Sequence, residues 1–344
     1  MEKNSLKEEK KHFDHVTARL IGIFVCVFVI MSIALPGRFL TSRNLFSMLF
    51  QFPELGLITL SIAITMMTRG VDISTVTVAN LLATVSAMVI LKNVPPGAPT
   101  SIAVGYILLS FVITLVIACM CGAANGFLIG MLGVPPILGT LGTSSIFTGI
   151  SMVLTKGQGI FGVFPDELRF LGSGRLFGYV PVPLLMFLVM IFLVYIIVHK
   201  TPFGLQIQWV GSNRNVVFFA GIDVPWVLIK TYVCSSLIAA VTGMLILART
   251  NSAKPDYGLT YVLQAILASV LAGISPLGGK GRISNLILAI FTLQCLDSGF
   301  NFLRITSFMR SFTYGLLLIL GIFVELVIEK YRQRRMVLKA LKVQ

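Results

Sequence analysis

Gly70-Val71-Asp72-Ile73-Ser74 stands between two apolar runs, residues 54–69 and 75–92, and places an aspartate and a serine where hydrocarbon is expected. Unwound backbone at membrane depth survives only where protein or water satisfies its amides and carbonyls. The stretch therefore predicts membrane helices with a break near their centre, and the break marks a pathway.

Outward from this break the chain is almost continuously oily. Of its 344 residues 56% are hydrophobic and 12% charged, and the mean hydropathy is +0.93. These values exclude a soluble globular domain. A span needs about 20 apolar residues to cross a layer of roughly 30 Å. The pattern predicts ten spans: residues 19–36, 54–69, 75–92, 101–123, 137–154, 183–199, 226–248, 261–276, 283–303 and 311–328. The expected fold is an all-α membrane protein, a polytopic bundle of about ten transmembrane helices with broken helices near the centre. Its parts are an N-terminal segment 1–18, a transmembrane domain 19–328 with an inner loop 200–224, and a basic tail 329–344.

Ten spans put both termini on one side. Placing that side in the cytoplasm gives it the larger share of the 27 Lys and Arg residues, as the positive-inside rule requires. Lys330, Arg332, Arg334, Arg335, Lys339 and Lys342 follow the last span. No small-residue cleavage site follows the first apolar run, so the first span reads as retained. The net charge of +14 is spread over short loops and the two ends, which suits anionic lipid rather than nucleic acid. Cys26, Cys119, Cys121, Cys234 and Cys295 lie in apolar runs without metal-ligand spacing and read as small core residues. Arg43–Phe52 is too short to cross and is expected to lie flat in the outer interface. Thr155–Val182, the longest external connection, either meets a soluble partner or covers helix ends.

Titratable groups inside a membrane cost about 2.5–3.5 kcal/mol on insertion scales, so each one is a candidate site. Asp72 at the break is the leading candidate. Asp297 lies between Gln294 and Asn301 at spacings that share one helix face, as a packing seam or a solute path. Glu325 reads as an interfacial residue beside Lys330. Ser74 in the break, with Asn80, Asn125, Thr140 and Thr143, offers neutral hydrogen-bonding groups that replace a solute's water. With Asp72 and Asp297 these five form the candidate translocation pathway. They suit an uncharged polar solute; each hydroxyl alternatively bonds its own helix carbonyl. His12, His15 and His199 lie outside the spans or at their very end, which disfavours an intramembrane protease or metalloenzyme.

Gly122, Gly126 and Gly130 recur at intervals of four and predict close helix packing. In the inner loop, Ser212 or Asn213 is placed to cap a short helix and Gly221 to end it in the left-handed conformation. Arg214 opens that helix, and Val216, Val217, Phe218 and Phe219 are exposed unless something covers them. Such a helix either docks a partner or folds back on the bundle. Gly278-Gly279-Lys280-Gly281 lacks the first glycine and the hydroxyl of a P-loop. The chain is therefore expected not to hydrolyse ATP, and with few buried carboxylates it is a poor ion-coupled carrier. Its energy is expected from another polypeptide.

Four stretches, in order, resemble the permease subunits of binding-protein-dependent ABC importers for monosaccharides, of the ribose type. They are Thr68-Arg69-Gly70-Val71-Asp72-Ile73-Ser74; Ala124-Asn125-Gly126 with Val134-Pro135-Pro136-Ile137 and Thr140-Leu141-Gly142-Thr143; Thr201-Pro202-Phe203-Gly204 with Gly211-Ser212-Asn213 and Ala220-Gly221-Ile222; and Ala265-Ile266 with Gly273 to Gly281. The resemblance runs from about Phe39 to Val327. It implies a homodimer or a heterodimer with a sister permease, a cytosolic ATPase dimer and an external solute-binding protein, in a bacterial cytoplasmic membrane. It implies no cofactor. The helix at 212–220 would seat on the ATPase, with Ser212, Asn213, Arg214, Val217, Phe218, Phe219 and Gly221 as coupling residues. Other cargoes open at this point are the furanosyl autoinducer of bacterial signalling and branched-chain amino acids. A self-sufficient secondary carrier is the reading from another class.

Overall fold

The computed structural model describes the backbone of residues 2–341. Side chains before Val16, beyond Val327 and at Glu325 fall outside the description, and with them the readings placed on His12, His15, Glu325 and the basic tail including Lys342. The chain forms an all-α bundle: α1 (Glu2–Ala34), α2 (Ser42–Met67), α3 (Thr75–Asn93), α4 (Thr100–Gly130), α5 (Pro136–Thr155), α6 (Asp166–Ser173), α7 (Val182–Lys200), α8 (Pro202–Ser212), α9 (Arg214–Phe219), α10 (Val224–Thr250), α11 (Tyr261–Leu271), α12 (Ser284–Phe302) and α13 (Ser307–Leu341). Two-residue strands β1 (Ile160–Phe161) and β4 (Ser252–Ala253) pair antiparallel, as do β2 (Arg175–Leu176) and β3 (Val180–Pro181).

Local chemistry sets the helix starts. Thr41, Thr201 and Asp223 each accept a first-turn amide, from Asn44 at 3.3 Å, Gly204 at 3.3 Å and Trp226 at 3.2 Å. Pro202 and Pro225 sit at the first positions, where a missing N–H costs nothing.

Among the described residues, eight helices are long and apolar enough to cross a membrane. The predicted eighth span is corrected in length: the chain passes between the two faces there, but its helix is shorter than expected. α11 has 11 residues and rises about 16 Å, roughly half the hydrocarbon layer. Residues 272–276 leave the helix at Gly273, whose φ of +85° suits glycine. α12, carrying Asp297, falls outside the eight although it has 19 residues. Residues 43–52 are likewise not a separate surface helix. They are the first turns of α2, continuous through Pro53, because Met48 and Phe52 bury against the bundle and Ser298 donates to Asn44 at 2.9 Å.

α2, α3 and α10 form the centre, with 67%, 72% and 78% of their most apolar windows buried, against 11% in α1 and 6% in α13. The glycine seam lies between α4 and α10. An added Cβ would come within 2.6 Å of the Tyr232 carbonyl at Gly122, 2.4 Å of the Ile229 Cα at Gly126 and 2.9 Å of the Pro225 carbonyl at Gly130. Lipid gives helices no hydrophobic reason to associate, so such close backbone approach supplies the contact. Cys121 and Cys295 are buried as expected, whereas Cys26 and Cys119 are exposed on the outside of the bundle.

Helix direction alternates. One face gathers Val16, Met67, Gly211 and the 273–281 turn; the other carries the β1–β4 pair and α6.

Candidate functional site

The break between α2 and α3 is tied off by side chains. Arg69 adopts φ +63°, and a Cβ at Gly70 would lie 2.4 Å from the Tyr232 hydroxyl. The buried Asp72 carboxylate accepts from the Ser74 amide at 3.1 Å, the Ser74 hydroxyl at 2.6 Å and the Ser235 hydroxyl at 2.7 Å. Asn125 Nδ2 donates to the Ser74 hydroxyl at 2.8 Å, and Thr143 donates to Asn125 Oδ1 at 2.6 Å. Thr140 Oγ1 takes the Ile73 amide at 3.2 Å and lies 3.0 Å from the Val71 carbonyl. A chain of donors thus runs from α5 through α4 to one carboxylate, and side chains take up backbone groups of the break at Val71, Asp72, Ile73 and Ser74.

Five of the seven predicted pathway residues therefore converge: Asp72, Ser74, Asn125, Thr140 and Thr143. The other two lie apart. Asn80 Nδ2 donates to the carbonyls of Pro255 at 3.0 Å and Tyr257 at 2.8 Å. Asp297 accepts from Tyr314 at 2.6 Å and Gln264 at 3.4 Å, and it lines a cavity of about 260 Å³ between α2, α11, α12 and α13. Gln294 and Asn301 line the same cavity, on the face their spacing predicted.

The inner loop folds as two helices, α8 and α9. Asn213 caps α9, accepting from the Asn215 and Val216 amides at 3.1 and 3.3 Å, and Gly221 closes it at φ +78°. Ser212 ends α8 instead of capping. Val216, Phe218 and Phe219 are 62%, 67% and 86% exposed, while Val217 alone of the four is covered, buried in the main core, and anchors the short helix.

The α8–α9 loop, the foot of the bundle, meets the α2–α3 break and the α11–α12 turn at one junction. Arg69 donates to the Ser212 carbonyl at 2.7 Å, Arg214 to the Thr68 carbonyl at 3.5 Å and the Gly279 amide to the Met67 carbonyl at 3.0 Å. A Cβ on Gly211 would sit 1.8 Å from the Met67 carbonyl oxygen and 2.5 Å from the Gly279 amide nitrogen. The end of α8, the end of α2 and the α11–α12 turn are thus in backbone contact.

Sequence reasoning missed two groups. Ser235, Ser61 and Thr75 complete the Asp72 network; Ser61 and Ser235 hydroxyls are 2.7 Å apart. Their signal was a cluster of hydroxyls on central spans. Glu54, at the edge of the second predicted span, is buried and ion-paired with Arg249, with a second contact to Arg249 at 2.8 Å and a hydrogen bond from Tyr257 at 3.1 Å. Nothing local links residues so far apart in sequence.

Residues 44–322 match the family described as branched-chain amino acid transport system / permease component. A ribose import permease protein of Bacillus subtilis is 30% identical, over 94% of this chain and 98% of its own length. The D-allose transport system permease protein of Escherichia coli is 26% identical over 94% and 96%. An autoinducer 2 import system permease protein of Photorhabdus laumondii is 27% identical over 88% and 89%. No solved structure gives a significant match.

Proposed function

The chain belongs to the branched-chain amino acid transport system / permease component family, and from that premise we propose that it is the membrane subunit of an ATP-driven importer for a monosaccharide. It is a transport subunit rather than an enzyme, and hydrolysis occurs in a cytosolic ABC ATPase. The observation that carries the reading is the foot: an exposed pair of phenylalanines on the short capped helix α9, which follows directly on Gly211 and Ser212, where the end of α8 meets the end of α2 and the α11–α12 turn. An apolar surface of this kind fits a groove on a soluble partner. When two ATPase subunits close on nucleotide, they push the foot, and the junction carries that movement into α2, α3, α11 and α12.

Asp72, Ser74, Asn125, Thr140 and Thr143 keep the break ordered through the movement and shape the wall of the route. Asn80 fixes the external 255–257 segment to the bundle, and Asp297 faces the solute. The pathway forms against a second permease subunit, identical or a sister. An extracytoplasmic binding protein delivers cargo to the face carrying α6 and the β1–β4 pair. Both termini lie in the cytoplasm, and the membrane is the bacterial cytoplasmic one, as the basic flanks support. Relatives named for ribose, D-allose and autoinducer 2 support a small polyhydroxylated cargo. The neutral hydrogen-bonding groups of the core agree with it.

The test is ATP hydrolysis by the chain purified with its ATPase in lipid nanodiscs. A sugar-loaded binding protein is expected to stimulate hydrolysis, and the chain alone to hydrolyse none. Lack of any stable complex with an ABC ATPase would refute the proposal.

A further inference from the structure

The cavity between α2, α11, α12 and α13 contains an anomaly. Gln264 on α11 is only 4% exposed; its amide nitrogen reaches the Asp297 oxygens at 3.4 and 3.5 Å, and its Oε1 has no partner. A buried acceptor left unpaired costs about 1–3 kcal/mol, and a native chain keeps such a group where something else binds it.

The surroundings say what. Asp297 is fixed by the Tyr314 hydroxyl at 2.6 Å yet keeps acceptor capacity on its second oxygen. Arg310 brings guanidinium donors, and its Nε is tied to the Ile305 carbonyl at 3.0 Å, which orients the fork. Tyr261 presents a ring to the same space, and its hydroxyl lies 3.4 Å from the Glu54 carboxylate that pairs with Arg249. Leu55 is the sole aliphatic side chain of the lining. The volume of about 260 Å³ is near the lower end of small-molecule pockets, about 300 Å³. A hydroxyl both gives and takes a hydrogen bond, so a wall that mixes acceptors with donors over a tyrosine ring matches a single sugar ring. It gives no apolar pocket to a branched aliphatic side chain.

We propose that this cavity is a monosaccharide site inside the protomer, in which Gln264 Oε1 and Asp297 accept sugar hydroxyls and Arg310 donates to them. The proposal rests on the importer reading above. The helix carrying Gln264 ends in the 273–281 turn that touches the foot, so one movement reshapes the site.

The experiment uses cells carrying the complete importer and a panel of radiolabelled pentoses and hexoses. Asn301 is exposed at the mouth of the cavity, so Asn301→Trp fills the space without disturbing the core. It is expected to cut uptake at least tenfold, with normal membrane amounts and normal co-purification of the ATPase. Gln264→Leu keeps the volume and removes the orphan oxygen; it is expected to raise the half-saturating sugar concentration at least tenfold or change the sugar preferred. Wild-type uptake and preference in both variants overturn the cavity proposal and leave the importer reading intact. A wild-type importer that takes up no sugar of the panel overturns the importer reading, and the cavity proposal with it.

Discussion

Gly211→Ala is the sharpest probe of how the foot is joined to the spans. Its Cβ would lie 1.8 Å from the Met67 carbonyl oxygen, whereas ordinary contact begins near 3.4 Å, so the junction must open by about 1.6 Å. Both obstructing groups are backbone, and neither can rotate away. Opening by that distance breaks the bond from the Gly279 amide, now 3.0 Å long. Overpacking costs about 1–3 kcal/mol and the lost bond about 1 kcal/mol, which together set the joined arrangement back by about 2–4 kcal/mol. At 1.4 kcal/mol per factor of ten, that is a shift of about 30-fold or more. Phe218 and Phe219 stay exposed, so the ATPase should still bind. Sugar-stimulated hydrolysis and uptake, measured on the reconstituted complex, should fall at least tenfold. Gly105→Ala, where a Cβ meets nothing within 4 Å, is the matched control and should be silent. Normal uptake by Gly211→Ala, at normal protein levels, would refute the coupling argument.

Phe218→Asp puts a charge into the apolar contact and should abolish co-purification of the ATPase while leaving membrane insertion intact; a retained complex on detergent purification contradicts this. Asp72→Ala leaves the Ser74 amide and hydroxyl without their acceptor, a cost of about 2–6 kcal/mol before relief of the buried charge. Uptake should fall several-fold, and Asp72→Asn, which keeps an acceptor oxygen, should restore part of it; wild-type uptake in Asp72→Ala refutes the role of the carboxylate. Glu54→Ala strands Arg249 and should cost about 3–5 kcal/mol, read as lost membrane yield and lower thermal stability in detergent. The double variant Glu54→Leu with Arg249→Met should recover much of the yield, and equal loss in both would argue against the pair.

Features fixed by local chemistry were legible in the sequence. The break at Gly70–Ser74, a cap at Ser212 or Asn213, the left-handed stop at Gly221 and the glycine seam of α4 each follow from a residue type at a spacing. The shared face of Gln294, Asp297 and Asn301 belongs with them. What escaped depends on partners distant in sequence or on backbone path. α11 has the composition of a full span, and only the chain's turn at Gly273 shortens it. Residues 43–52 look interfacial until Met48 and Phe52 meet the bundle. Val217 points inward because a two-turn foot needs one apolar anchor. Glu54 and Arg249 are 195 residues apart, and no periodicity connects them. The converging network behaves likewise: Asp72 announced itself, but Ser235 and Ser61 were two hydroxyls among many until the fold brought them together.

The central claim is that this bundle is a gated route whose power stroke arrives through α9 from outside. Proteoliposomes test it directly, by sugar accumulation against a gradient with this chain alone and with its ATPase and binding protein restored. Accumulation that requires ATP and both partners, with none by the bare chain under a proton or sodium gradient, is the predicted result. Uphill uptake by the chain on its own would contradict it.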